Sequence, residues 1–216
     1  MQVQGGASSH EFEIRADEYE ENRHYFIAQY FRDNYNKALS TLPVVNSNVK
    51  IIRLEVWRTN VGAAVTQNRN ILALTDLGER TPSNSRVVGS GGAMPSNTSN
   101  NLLELINTSA VRSINSVTGY MQGLVMTSGE DYEKIESARR LESSEYTLNS
   151  QLGFISLRQA LNNDEVLAVA FEYTYNGKTY QVGEFSTDGI DAPQALIVKL
   201  LKGTATSPQT ALWDLM

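Results

Sequence analysis

The chain contains no cysteine, two histidines, five prolines and two tryptophans in 216 residues. Without cysteine it has neither disulfides nor thiolate metal sites, which leaves the compartment undecided. Positive charge is scarce as well. A formal net charge of -6 and a pI near 5.0 argue against nucleic acid and against an anionic membrane surface as partners. The adjacent basic pair Arg139-Arg140 stands among Glu133, Glu136 and Glu142, the pattern of a solvated face. Long apolar runs are missing: stretches such as Val166–Phe171 are far too short for a membrane helix, so direct membrane insertion is not expected. Residues 1–10 are polar and Gly/Ser-rich, with no basic or apolar region of a signal peptide. With Val3, Phe12 and Ile14 suggesting extended chain already under way, the start reads as the middle of a longer protein.

What is present is ordinary globular material, 41% hydrophobic and 19% charged, enough to bury a core as one compact domain or two closely packed subdomains. The clearest local signal is a hairpin. Leu167, Val169, Phe171, Tyr173 and Tyr175 alternate, which in a strand places them on one face. Asn176-Gly177 follows, and both residues tolerate the positive φ of a type I′ turn. The turn predicts Thr174 opposite Thr179, Tyr173 opposite Tyr180, and Phe171 opposite Val182. That apolar face needs a cover. Asp17–Leu42 reads as the main amphipathic helix, capped by Asp17 with Glu20, carrying the stripe Ile27, Phe31, Tyr35, Ala38 and Leu42, and ended by Pro43.

Strands are predicted over Val49–Arg58, Ile71–Leu77, Tyr146–Leu148, Leu152–Leu157 and Ala195–Leu201. Leu102–Leu124 reads as one helix or two with a break near Thr108. Glu130–Leu141 is ambiguous, with Tyr132, Ile135 and Ala138 suiting a short helix. Thr81–Asn101 lacks periodicity and reads as a mobile loop or linker. The organisation expected is therefore residues 1–80 as a helix with strands, 81–101 as linker, and 102–216 as a helix with a β-rich second half. The fold class is α+β, with mainly antiparallel sheet built on a long β-hairpin and covered by amphipathic helices. The tyrosine-ended strand also resembles a membrane-barrel strand, but Lys178 and Glu184 on the same face and the two long helices favour a soluble core.

No motif specifies a reaction. His10 beside Ser8 and Ser9 offers a base near a hydroxyl, yet neighbours on extended chain point to opposite faces and no orienting acid is specified. His24 lies near Glu20 and Glu21 without a second ligand spacing, so a surface histidine is the better reading than a metal ligand. Ser186–Asp191 lacks the later bidentate Glu of a calcium loop, and Gly89-Ser90-Gly91-Gly92 lacks the strand, helix and Lys of a phosphate cradle. No catalytic, cofactor-binding or metal-ligating residue is assigned and no cofactor is expected. Tyr25, Trp57 and Tyr175 are the candidates for exposed partner contacts. A surface adhesion or glycan-binding module is the alternative reading, resting on Trp57 or Tyr175.

Several runs taken in order resemble one family. They include Glu20-Glu21-Asn22-Arg23-His24-Tyr25-Phe26, Phe31-Arg32-Asp33-Asn34-Tyr35-Asn36, Gln151-Leu152-Gly153-Phe154-Ile155-Ser156-Leu157 and Tyr180-Gln181-Val182-Gly183-Glu184-Phe185. The chain resembles the SprA/Sov family of cell-surface gliding motility proteins over nearly its whole length except the low-complexity loop. The resemblance implies an internal piece of a very large outer-membrane barrel, the translocon of the type nine secretion system. It implies a non-catalytic soluble domain at one mouth of that barrel, on the cell surface or the periplasmic face. Its expected partners are the barrel, other translocon subunits and exported protein cargo.

Overall fold

A computed structural model describes residues 15, 18, 20–62, 67–106, 108–205 and 207–216. Nine strands and four helices are assigned among them: β1 (His24–Phe26), α1 (Gln29–Ala38), β2 (Val49–Arg58), β3 (Asn68–Leu74), α2 (Leu102–Leu105), α3 (Thr108–Val111), α4 (Ile114–Gly123), β4 (Tyr132–Arg140), β5 (Tyr146–Asn149), β6 (Phe154–Leu157), β7 (Leu167–Tyr175), β8 (Lys178–Val182) and β9 (Leu196–Lys202). A 3-10 turn over Trp213–Leu215 follows. The class is α+β, with two sheets. The smaller is antiparallel in the order β1-β6-β5, and the larger runs β2-β4-β3-β9-β7-β8. An additional β2–β7 pairing closes five of these strands into a barrel. The larger sheet is antiparallel except between β3 and β9, which are parallel.

β7 is where the barrel closes. It pairs with β2 from Leu167 to Tyr175. Its other edge is shared, with β9 taking Leu167–Val169 and β8 taking Phe171–Tyr175. The Asn176-Gly177 turn has φ of 48° and 76°, and the β8 register places Thr174 opposite Thr179, Tyr173 opposite Tyr180, and Phe171 opposite Val182. The organising role expected of that hairpin belongs instead to β7 with β2 and β9. Leu167–Phe171 are buried without interruption, Ala168 and Ala170 included, as required of a strand covered on both faces. Strands from before and after residues 81–101 pair directly, β2 with β7 and β3 with β4 and β9.

The long helix expected over Asp17–Leu42 is not formed as such. Tyr25 and Ile27 are buried while Phe26 between them is partly exposed, a period of two. Pairing of His24–Phe26 with Phe154–Ser156 captures that stretch as β1. Ala28 is extended at φ -160° and ψ 159°, and the helix starts only after it. Glu20 closes no capping box; it binds Arg23 and His24. The cap at Asp17, the extended start at Val3, Phe12 and Ile14, and Ser8, Ser9 and His10 lie outside the described residues.

Within Glu130–Leu141, Tyr132–Arg140 form strand β4 and no helix, and the helix-like spacing has a cause. Ser137 sits at φ 53°, and the ladder to β3 is irregular between Arg69 and Ile71. Such an irregularity moves the next inward side chain by one position. Ile135 and Ala138 thus point inward three residues apart, mimicking a helical step. The apolar stripe over Leu102–Leu124 does face the core, with Leu102, Ile106, Val111, Ile114, Val117 and Met121 buried. It is carried by three short helices, because Ile106 and Ser113 are extended. The Arg112 carbonyl in the second break accepts a bond from the Ala195 N–H at 2.8 Å, and the Arg112 guanidinium makes a bidentate pair with Glu184 at 2.6 Å. Tertiary bonds replace the helical ones there.

Residues 81–101 form a packed strap, contrary to the linker expectation. Asp76 accepts bonds from Ser83 N–H, Ser83 Oγ and Asn84 N–H at 2.8–2.9 Å. Val87 and Met94 are buried in the core. Asn97 N–H donates to Gln181 carbonyl at 2.8 Å, covering part of the β8 edge. Composition underrates such a segment, because its polar side chains bond backbone instead of water.

Candidate functional site

A polar concavity lies where α1, the entry to β2, the turn before β6 and the end of β7 converge. It measures about 290 Å³. Its floor is Phe31, whose ring meets Phe171 at 6.1 Å and Tyr173 at 5.9 Å, both edge-on. α1 thus covers the β7 face with this ring. Gly153 makes the approach possible. A Cβ there would come within 2.3 Å of the Phe31 ring, and φ is +65°.

The walls are aromatic and amide. Tyr30 is set edge-on to Phe31 at 5.5 Å, and Tyr35 is held between Phe26 at 5.4 Å and Phe154 at 6.3 Å. Asn34 donates to Tyr30 carbonyl at 2.8 Å. The far wall is tied down by backbone: Asn46 N–H donates to Ala38 carbonyl at 2.8 Å, and Ser47 Oγ donates to Gln151 carbonyl at 2.7 Å. Tyr175 closes one end. Burial pushes the Tyr30 phenol above its ordinary pKa, with Tyr175 adding to the shift and Arg80 opposing it.

Of the side chains expected as exposed contacts, Tyr175 is half-buried at the rim of this groove. Tyr25 and Trp57 are each 1% exposed, a correction with a plain cause. Tyr25 faces inward from β1 opposite Ile155, and Trp57 lies on β2 between Arg140 and Ala168 in the closed sheet. Sequence reasoning missed the groove because Tyr30 and Tyr35 of α1 stand more than a hundred residues from Gln151 and Tyr175. The amide cluster Asn46–Asn48 beside an aromatic stripe was the available signal.

A second constellation is a hydrogen-bonded chain. His24 Nδ1 lies 2.8 Å from Ser156 Oγ, and His24 Nε2 lies 2.8 Å from Glu20 Oε2. His24 and Ser156 are direct cross-strand partners. The bond from His24 holds the Glu20 carboxyl below its ordinary pKa, with Arg23 adding to the effect. Serine, histidine and carboxylate in contact resemble a nucleophile relay. Here, however, the side chains of His24 and Glu20 are 48% and 49% exposed. A relay also needs preorganised oxyanion donors in a water-excluded site, whereas these side chains clasp the β1 and β6 strands at the surface.

Charges buried inside the sheets are spent on structure. Lys199 pairs with Glu79 at 2.8 Å and donates to Thr75 carbonyl at 2.6 Å. Glu165 pairs with Arg58, and Lys202 donates to the carbonyls of Asn163 and Glu165 at 2.9 and 2.7 Å. Burial depresses the Lys202 pKa. Glu55 accepts from Arg140 and from Ser186 N–H and Oγ. Glu133 accepts from Thr204 N–H at 2.7 Å and Thr204 Oγ1 at 2.6 Å. Among the described residues, no three His, Asp or Glu side chains gather as metal ligands. No described helix is long and apolar enough to cross a membrane.

A closed barrel with internally paired charges, a flanking sheet and an open polar groove define an α+β scaffold that presents surfaces. The chain belongs to the SprA_N family of motility related/secretion proteins, whose family model matches residues 1–181. No curated protein matches the chain. β9 lies beyond the matched residues, yet it pairs with both β3 and β7 in the barrel.

Proposed function

We propose that this chain is a non-catalytic soluble structural and interaction domain of a large outer-membrane protein-export translocon, required for secretion and gliding motility. Membership of a motility and secretion family carries the reading. The distribution of charge supports it: Glu55, Glu133, Glu165, Lys199 and Lys202 all bond to backbone or to an opposite charge within the fold. A buried ionisable group held this way is a brace, since a catalytic acid or base must keep a lone pair or proton free for substrate. The domain would dock against the barrel or its subunits and shape the path of exported cargo, on the cell surface or the periplasmic face of the outer membrane.

In-frame removal of this segment from the parent protein should abolish cargo export and gliding while the parent still reaches the outer membrane. Normal secretion by that strain would sink the proposal. A His24→Ala, Ser156→Ala double variant should export normally; loss of export with the fold intact would point instead to chemistry at that pair.

A further inference from the structure

We infer that the groove between α1 and the β2 entry is a binding site for a short stretch of neutral saccharide. The wall chemistry selects this class. Tyr30, Tyr35 and Tyr175 bring ring carbon and hydroxyl together, and Asn46, Asn48 and Gln151 bring side-chain amides. A sugar ring presents the matching pair, an apolar C–H face and hydroxyls that both donate and accept, as phenol and amide groups do. Among the described residues, none of these six side chains spends its hydroxyl or amide on a hydrogen bond within the protein. They are thus unlike Asn97 and Asn100, whose amides are consumed by backbone.

Charge and shape narrow the class further. Among the described residues, Lys37 is the one charged side chain on the lining, and no carboxylate lines the space. An anionic glycan or a phosphate would find a single cation, and a basic peptide would find no counter-charge. A volume of about 290 Å³ lies at the lower edge of the roughly 300–1,000 Å³ usual for small-molecule sites. A segment of a chain fits it, with the open sides letting the rest continue into solvent. The site is also rigid. Phe31 and Tyr35 are locked by edge-on ring contacts, and the Asn46 and Ser47 bonds fix the opposite wall. Preformed walls lower the ordering cost that weakens most saccharide binding. This inference is independent of the export role, since a domain without the groove could still brace a translocon.

The test is a titration of the full chain with neutral tetrasaccharides of glucose and of N-acetylglucosamine, followed by amide resonances of Asn46, Asn48 and Gln151. At least one neutral tetrasaccharide should shift them saturably, with a Kd of about 1 mM or tighter. Tyr175→Ala should weaken binding about tenfold. Because Tyr175 also packs at a strand end, Asn48→Ala, at an exposed position, serves as a second variant that leaves the melting temperature unchanged and weakens binding. The overturning results are no saturable shift with any neutral tetrasaccharide, or shifts produced only by an acidic oligosaccharide or an uncharged peptide.

Discussion

Lys199 and Glu79 meet at 2.8 Å, with side chains 1% and 5% exposed, where β9 passes the end of β3. The lysine also donates to Thr75 carbonyl at 2.6 Å, and Glu79 accepts Gln29 N–H at the head of α1. One ion pair thus links barrel, strap and groove helix. Lys199→Met or Glu79→Gln alone leaves a charge sealed without its partner and should cost about 3–5 kcal/mol. The double variant should lose less than the sum of the two. Urea denaturation of all three variants checks both statements, and additive losses would show that the pair is not coupled.

Asn100 is the lock of the strap. Its amide donates to Asp76 carbonyl at 2.7 Å and Glu79 carbonyl at 2.8 Å, and its oxygen accepts Leu102 N–H at 3.0 Å. Asn100→Ala strands three buried backbone groups and should cost about 2–4 kcal/mol. Hydrogen exchange should rise first over residues 81–101. Unchanged exchange there would mean that the strap is held by other contacts.

Gly153→Ala combines a left-handed backbone with a direct collision against Phe31. The expected loss is about 1–3 kcal/mol, accompanied by a changed near-ultraviolet circular dichroism signal as Phe31 leaves its aromatic neighbours. A thermal melt equal to that of the parent chain would contradict this.

Tyr173 sets an alkaline limit. Burial raises its phenol pKa well above the ordinary value, with Tyr30 and Tyr180 adding to the effect, and its hydroxyl donates to Pro95 carbonyl at 2.6 Å. A raised pKa in the folded state stabilises the protein below the unfolded value of about 10, and this is lost as pH climbs beyond it. Lys202 acts in the opposite direction. Its depressed pKa makes its contribution rise with pH between the folded value and about 10.4. Burial raises the phenols of Tyr30, Tyr132 and Tyr146 as well, so the four tyrosines outweigh the lysine and net stability should fall as pH climbs past about 10, less steeply in Tyr173→Phe. Denaturant midpoints across alkaline pH, alongside tyrosinate absorbance, test this.

The strands were the legible part of this sequence. Alternation over Leu167–Tyr175 and the Asn176-Gly177 turn set a register that the ladder follows, because a two-residue turn leaves no freedom. Where reading failed, a tertiary partner overrode local period. β6 drew His24–Phe26 out of the helical stripe, and the bulge at Ser137 gave β4 a false helical step. Barrel closure was illegible, since β2–β7 and β3–β9 are paired across more than a hundred residues. The groove was half legible. Tyr175 was singled out, whereas Tyr30, Tyr35 and Gln151 join it only once α1 is laid over β7.

A strand bordered on both flanks has no free rung to lend. Because β7 is flanked by β2 along its length and by β9 and then β8 on its other side, an unfolded chain brushing past the barrel cannot splice itself into that strand. Among the described strands, unclaimed backbone is left to the outer strands of the small sheet, β1 and β5, and to the part of the β8 edge that the strap leaves open, so any strand-by-strand association with another polypeptide should begin at one of these.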